Sequence, residues 1–89
     1  MTSPLESLIE YPTDFPIKIM GKRGPGFVEA VSALVKQHAP DWDESTLETR
    51  PSRQGNYLAL TATIRATSRE QLDALYTALS GHPLVSVVL

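Results

Sequence analysis

The sequence predicts an α+β domain in which two helices cover one face of a four-stranded antiparallel sheet. Three patterns in its 89 residues support this prediction. Apolar and polar residues alternate in the predicted strands, apolar residues recur at the helical period in the predicted helices, and turns rich in glycine or proline separate them. The elements follow the order β-α-β-β-α-β after a short leading helix.

The leading helix is predicted from its start signals. Ser3 acts as the N-cap, Pro4 occupies the first helical position, and Glu6 completes a capping box. Pro12 ends the helix, because proline lacks the backbone N–H that a helix interior requires. The apolar face of this helix consists of Leu5, Leu8 and Ile9.

The first strand is predicted from Phe15 to Met20, and its inward residues are Phe15, Ile17 and Ile19. A turn from Gly21 to Gly26 follows, with Gly24-Pro25 as the N-cap and first position of a long helix. Pro40 ends that helix. Its buried stripe consists of Phe27, Val31, Leu34, Val35 and His38.

An acidic loop, Asp41 to Glu44, leads to a weak second strand from Leu47 to Arg53. Pro51 places this strand at a sheet edge, because proline cannot donate to the ladder. Gln54-Gly55-Asn56 is a turn sequence that joins it to the third strand as a hairpin. The third strand alternates most clearly, and its inward residues are Leu58, Leu60, Ala62, Ile64 and Ala66.

The second long helix begins with another capping box, Ser68 to Gln71, and Gly81 is its predicted C′ residue. Its buried stripe consists of Leu72, Leu75, Tyr76 and Leu79. Leu84 to Leu89 is the last strand. The whole pattern predicts a single domain over residues 1–89, with the ferredoxin-like split β-α-β fold (βαββαβ) and the strand order 4-1-3-2.

The composition bounds the function. A net charge of −2 does not favour general nucleic-acid binding. The absence of cysteine excludes disulfides and thiolate chemistry and is compatible with the cytosol. We expect no signal peptide and no membrane span, since no apolar run approaches the roughly 18 residues that a span needs. The prediction is a cytoplasmic protein with no catalytic constellation, no metal site and no cofactor.

The glycine-rich loop is the most suggestive candidate site. It joins a strand to a helix N-terminus, where free N–H groups and the helix dipole attract anions. The alternative is an ordinary turn with two solvated cations. An acylphosphatase-like activity is disfavoured, because Val28 and Glu29 occupy the stretch where that family carries its phosphate-binding arginine. The candidate anion or metabolite site consists of Gly21, Lys22, Arg23, Gly24 and Gly26.

The open face of the sheet is the second candidate, with Lys18, Tyr57 and Arg65 as its candidate binding residues, and the alternative is an ordinary solvated face. An RNA-binding sheet needs aromatic side chains on its central strands, and only Tyr57 qualifies. Four arginines are scattered over the hairpin and the following turn, where they either form a patch or are simply solvated, and the second interpretation is favoured. They are Arg50, Arg53, Arg65 and Arg69. The predicted face consists of Lys18, Met20, Tyr57, Ala59, Thr61, Thr63, Arg65, Ser86 and Val88.

The last strand carries no charged side chain and lies at a predicted edge of the sheet. Long uncharged edges pair readily with another chain, so either this edge is covered, for example by the leading helix, or it pairs in a homodimer, which is a hypothesis.

Five segments resemble the bacterial YbeD-like family of uncharacterised proteins. They are Glu10-Tyr11-Pro12-Thr13-Asp14-Phe15, Lys18-Ile19-Met20-Gly21, His38-Ala39-Pro40, Ser52-Arg53-Gln54-Gly55-Asn56-Tyr57 and Val85-Ser86-Val87-Val88-Leu89. The resemblance implies a small cytoplasmic protein with a fold similar to ACT domains, which are amino-acid-sensing regulatory modules. It implies no catalytic residue. Members that lie near lipoate-attachment genes imply a regulatory link to lipoate metabolism.

The expected function is therefore a non-enzymatic regulatory or interaction module that binds a partner protein or a small metabolite, including one linked to lipoate. The alternative is a small hydrolase or transferase that uses the glycine-rich loop for an anionic substrate such as an acyl phosphate. That alternative lacks a recognisable nucleophile, general base and positioned arginine.

Overall fold

The computed structural model describes residues 10–89, so most of the leading helix predicted between Ser3 and Pro12 lies outside the described residues. Within this range a one-turn 3₁₀ helix, Glu44–Thr46, precedes the second strand. The element order confirms the predicted β-α-β-β-α-β pattern. In chain order the elements are β1 (Thr13–Lys22), α1 (Phe27–His38), β2 (Glu48–Pro51), β3 (Tyr57–Ala66), α2 (Arg69–Ser80) and β4 (Val87–Val88).

The four strands form one antiparallel sheet in the order β2-β3-β1-β4, as predicted. Its centre is the long pairing of β1 with β3, which runs from Thr13 opposite Ala66 to Lys22 opposite Tyr57. The strict alternation of β3 explains this register, because a shift of one residue would turn its apolar side chains to the wrong face. The β2 strand pairs with β3, and Pro51 lies at the sheet edge.

Both helices bring their apolar stripes to the same side of the sheet. Trp42 closes the edge of this core and is 3% exposed. Burial of these side chains is the main favourable term in folding. The fully buried larger side chains are Phe27, Ile17, Ile19, Leu60, Ile64, Leu75, Leu79, Val31 and Val35.

The start of α1 differs from the prediction. Its N-cap is Gly26, with φ of 86°, so the helix begins two residues later than the Gly24-Pro25 signal indicated. Because β1 continues to Lys22, the turn that follows is displaced along the chain. Gly26 supplies the left-handed backbone of that turn, which residues with a Cβ rarely adopt.

The α2 helix begins as predicted, but its capping box is incomplete. The Ser68 hydroxyl accepts from the backbone N–H of Gln71 at 3.1 Å. The Gln71 side-chain oxygen accepts from the Thr67 N–H at 2.7 Å instead of from that of Ser68. Its Nε2 donates to the His38 carbonyl at 2.8 Å, which ties the start of α2 to the end of α1. Gly81 is right-handed, with φ of −83°, so the predicted C′ role is wrong.

The last strand is shorter than predicted and has the opposite alternation. Val88 lies opposite Ile19 and packs towards the core, whereas Val87 lies opposite Met20 on the open face. Placing Val88 on the open face was therefore wrong, and Ser86 precedes the strand. The cause is a turn before the strand, in which the Val85 N–H donates to the His82 carbonyl at 3.1 Å. A one-residue offset then exchanges the two faces.

Candidate functional site

Gly21 is a packing position at the end of β1. A Cβ at this position would collide with the Leu84 carbonyl oxygen and with the Phe27 ring. The missing side chain thus allows α1 and the loop before β4 to approach β1 closely. Gly24 has open space around it, and Gly26 caps α1. The predicted loop site is therefore divided between a buried glycine and an exposed turn.

Lys22 and Arg23 meet the β2–β3 hairpin. Lys22 lies directly opposite Tyr57, and the Arg23 N–H donates to the Asn56 carbonyl at 2.9 Å. These contacts extend the β1–β3 ladder beyond the end of the strand. A cleft of about 360 Å³ is lined by Lys22, Arg23, Asn56 and Tyr57.

The hairpin turn is held by its own hydrogen bonds. The Ser52 N–H donates to the Tyr57 carbonyl at 2.8 Å, and the Tyr57 N–H donates to the Ser52 hydroxyl at 3.1 Å. Gly55, with φ of 77°, donates its N–H to the Ser52 carbonyl at 2.9 Å. A second cleft, of about 260 Å³, is lined by Ser52, Arg53, Gln54, Asn56 and Tyr57.

The two clefts share Asn56 and Tyr57 and form one surface, which we call the hairpin end. From the sequence, Lys22 and Arg23 belong to one candidate site and Tyr57 to another, whereas Arg53 belongs to the scattered arginines. The register of β1 against β3 is the signal that joins them, because it places the end of β1 beside the start of β3. The hairpin end consists of Lys22, Arg23, Ser52, Arg53, Gln54, Asn56 and Tyr57.

The sheet-face candidates Lys18, Tyr57 and Arg65 share the open face but not one site. Arg65 lies near the far end of β3, about 27 Å from Tyr57 at the rise of an extended strand. Its guanidinium donates to Asp14 at 3.2 Å, and both side chains are exposed. Lys18 instead lies beside the hairpin, in a cleft of about 450 Å³ lined by Lys18, Glu48, Thr49, Arg50, Ala59 and Thr61.

Two histidines lie near helix ends. His38 Nδ1 is 2.9 Å from the Leu34 carbonyl, and His82 Nδ1 accepts from the Leu84 N–H at 3.1 Å. Both imidazole rings therefore contact backbone groups that are close to them in the sequence. Within residues 10–89 no group of three or more histidine, aspartate or glutamate side chains is placed to hold a metal ion. In the same range, no helix is long and apolar enough to cross a membrane.

The outer edge of β4 is uncharged. Leu89 and Lys18 exchange both backbone hydrogen bonds, at 2.8 and 3.2 Å. The Val88 N–H and carbonyl between them therefore face away from β1, as the antiparallel pattern requires. In the described part of the chain no strand pairs with this side of β4. Large apolar side chains remain exposed along it, namely Leu84, Val87 and Leu89.

The chain is similar to several known proteins. A family model described as "Protein of unknown function (DUF493)" matches residues 6–89. The UPF0250 protein of Bordetella pertussis is 62% identical over 86 residues, which covers 97% of this chain and 94% of the relative. The UPF0250 protein of Nitrosomonas europaea is 63% identical over 84 residues, which covers 94% and 97%.

The predicted fold is also found in a solved structure. The solution structure of protein HP0495 from H. pylori matches with a TM-score of 0.73 at 12% identity, over 91% of this chain and 85% of that chain. At this identity the likeness concerns the fold alone. Together the matches confirm the resemblance to the YbeD-like family and the ferredoxin-like fold.

Proposed function

Because the chain belongs to the DUF493 family of proteins of unknown function, we propose its role from its own surfaces. It is a non-enzymatic regulatory or interaction module that acts by pairing the edge of β4 with a strand of another chain. The observation that supports this role is the contrast between the two edges of the sheet.

The β2 edge carries features that prevent pairing. Glu48 and Arg50 place charges along it, and Pro51 removes a donor. Such charges and prolines are the usual protection of an exposed edge. The β4 edge has neither, since Leu84 to Leu89 contains no charged side chain and no proline. An unprotected edge with free backbone groups is the surface that strand addition uses.

We propose a second copy of the chain as the strand that pairs with β4. Because each copy has one unprotected edge and one protected edge, two-fold antiparallel pairing of β4 with β4 closes at a dimer. The product is an eight-stranded sheet. Val87 and Leu89 of both copies then lie together on its open face, beside Met20.

Sedimentation velocity over a wide range of protein concentration tests this dimer. We expect a monomer–dimer equilibrium for the wild type and a shift to monomer for Val87→Lys, which places a charge on the edge. Thr63→Lys is the matched control, because Thr63 is exposed on the central strand β3 and keeps the edge intact. A wild type that stays monomeric at every concentration would contradict pairing between copies.

A metabolite-sensing role is the second candidate, and the cleft beside Tyr57 favours it. Its volume of about 360 Å³ falls within the range of roughly 300–1,000 Å³ that small-molecule sites occupy. The cations Lys22 and Arg23 suit a carboxylate, and lipoate is the first ligand to test because of the lipoate link that the family resemblance implies. A rise in the melting temperature when lipoate or an amino acid is added, with no such rise in Tyr57→Ala, would support this role.

A further inference from the structure

Charge is distributed unevenly between the two ends of the fold. The segments 20–28 and 49–59 contain no aspartate or glutamate, although the chain has 10 acidic residues and only 8 lysines and arginines. The β1–β3 register brings these two segments to the same end of the sheet. Half of the lysines and arginines are there, namely Lys22, Arg23, Arg50 and Arg53.

The cations in these two segments are unpaired within the part of the chain that the structure describes. Among residues 10–89, the side chains of Lys22, Arg23, Arg50 and Arg53 make no hydrogen bond or ion pair. Three of the four cations elsewhere are engaged, and Lys18 is the exception within residues 10–89. Arg65 pairs with Asp14, Arg69 pairs with Asp73 at 3.3 Å, and Lys36 donates to the Trp42 carbonyl at 2.7 Å.

Acidic residues gather at the opposite end of the sheet. They lie at the start of β1, between α1 and β2, and in the N-terminal half of α2. The two ends are about 30 Å apart, the length of β1 at the rise of an extended strand. This separation exceeds the Debye length of about 8 Å at physiological salt, so the ends do not neutralise each other. The acidic residues are Asp14, Asp41, Asp43, Glu44, Glu70 and Asp73.

We propose that the hairpin end is a docking surface for an acidic segment of a partner protein. Lys22, Arg23 and Arg53 are spread over two clefts that share Tyr57, so they match several carboxylates along a peptide better than one small anion. Arginine binds carboxylates through a planar, two-pronged donor group, and Arg23 and Arg53 present one in each cleft. Ser52, Gln54 and Asn56 add polar groups between them.

The limits of the surface favour a short acidic segment over a nucleic acid. Glu29 in the first turn of α1 and Glu48 beside Arg50 border it with negative charge. A long polyanion that continued past these borders would approach the acidic end and be repelled. Tyr57 is the single aromatic side chain among the residues of the hairpin end, and single-stranded nucleic acids usually stack on several. The acidic end also orients an approaching acidic partner towards the hairpin end.

Fluorescence anisotropy with a labelled oligoglutamate peptide tests the proposal on the full chain. Each exposed ion pair contributes up to about fivefold in affinity, so Arg23→Gln/Arg53→Gln should weaken binding about tenfold. The matched control, Arg65→Gln/Arg69→Gln, removes the same charge near the acidic end and should leave the affinity within about twofold. Wild-type affinity should also fall with added salt, more steeply than that of Arg23→Gln/Arg53→Gln.

Four outcomes would overturn the proposal. They are no binding of the peptide at low salt, equal weakening by the two double variants, tighter binding of an oligonucleotide of equal charge, and full displacement of the peptide by free lipoate. The proposal rests on the role as an interaction module but not on β4. If Val87→Lys binds the peptide as tightly as the wild type does, the docking proposal for the hairpin end is supported even if the β4 dimer is not observed.

Discussion

Gly21 lies where β1, α1 and the loop before β4 meet, and the space that a side chain would need there is filled by the Phe27 ring and the Leu84 carbonyl. The backbone atoms around this position cannot move aside as easily as a flexible side chain on the surface. Loss of ligand binding in a Gly21 variant would therefore report disturbed packing and not a lost contact. Variants at Arg23 and Arg53 are better probes of the surface itself.

We predict that Gly21→Ala destabilises the fold by about 1–3 kcal/mol, the usual cost of an inserted methyl group in a packed interior. Gly24→Ala is the matched control. A Cβ at Gly24 meets nothing within 4 Å, so this change should be neutral or stabilise by up to about 1 kcal/mol through the unfolded chain. Urea denaturation of both variants measures the difference. Equal stability would show that the packing around Gly21 adapts freely.

At the scale of whole elements, β3 and β4 show what the sequence determines. The long alternation of β3 predicts its faces and its central place, because ten residues with one buried face tolerate no slip. β4 spans only two residues and is apolar on both faces, so its alternation carries no signal. Its register depends on the preceding turn and its hydrogen bonds, which local sequence does not reveal.

The hairpin end was only partly predictable for a similar reason. Lys22, Arg23 and Tyr57 were candidates from local sequence, and each lies on an exposed surface of the fold. That they form one surface follows from pairing between residues far apart in the chain. Arg50 and Arg53 resembled Arg65 in sequence, but the fold gives Arg65 the Asp14 carboxylate and leaves the other two without a partner among residues 10–89.

The alternation of β4 yields a prediction at the scale of the element. Val88→Thr should destabilise the fold by about 1 kcal/mol, because it buries part of a hydroxyl against the core. Val87→Thr should change stability by less than about 0.5 kcal/mol, since Val87 is exposed on the open face. Urea denaturation at low protein concentration compares the two. The reverse order would mean that β4 has the alternation predicted from sequence.

At the scale of the whole molecule, the uneven charge distribution is compatible with a dimer that forms through the β4 edge. Antiparallel pairing of β4 with β4 reverses the second copy, so the hairpin end of each copy lies beside the acidic end of the other. The intervening strands are spaced about 4.8 Å apart, so Lys22 and the second copy's acidic end are separated by about 15 Å or more. Opposite charges at this distance attract where salt does not screen them.

This geometry predicts how the dimer responds to salt. At an ionic strength of 0.15 M the Debye length is about 8 Å, so the attraction is screened and the β4 edge alone holds the dimer. Near 0.01 M it is about 30 Å, and we expect the dimer to tighten about two- to threefold. Sedimentation equilibrium at the two salt concentrations measures this change. Arg23→Gln/Arg53→Gln should reduce the salt effect without dissociating the dimer at 0.15 M. A dimer that loosens at low salt would contradict this attraction between opposite ends.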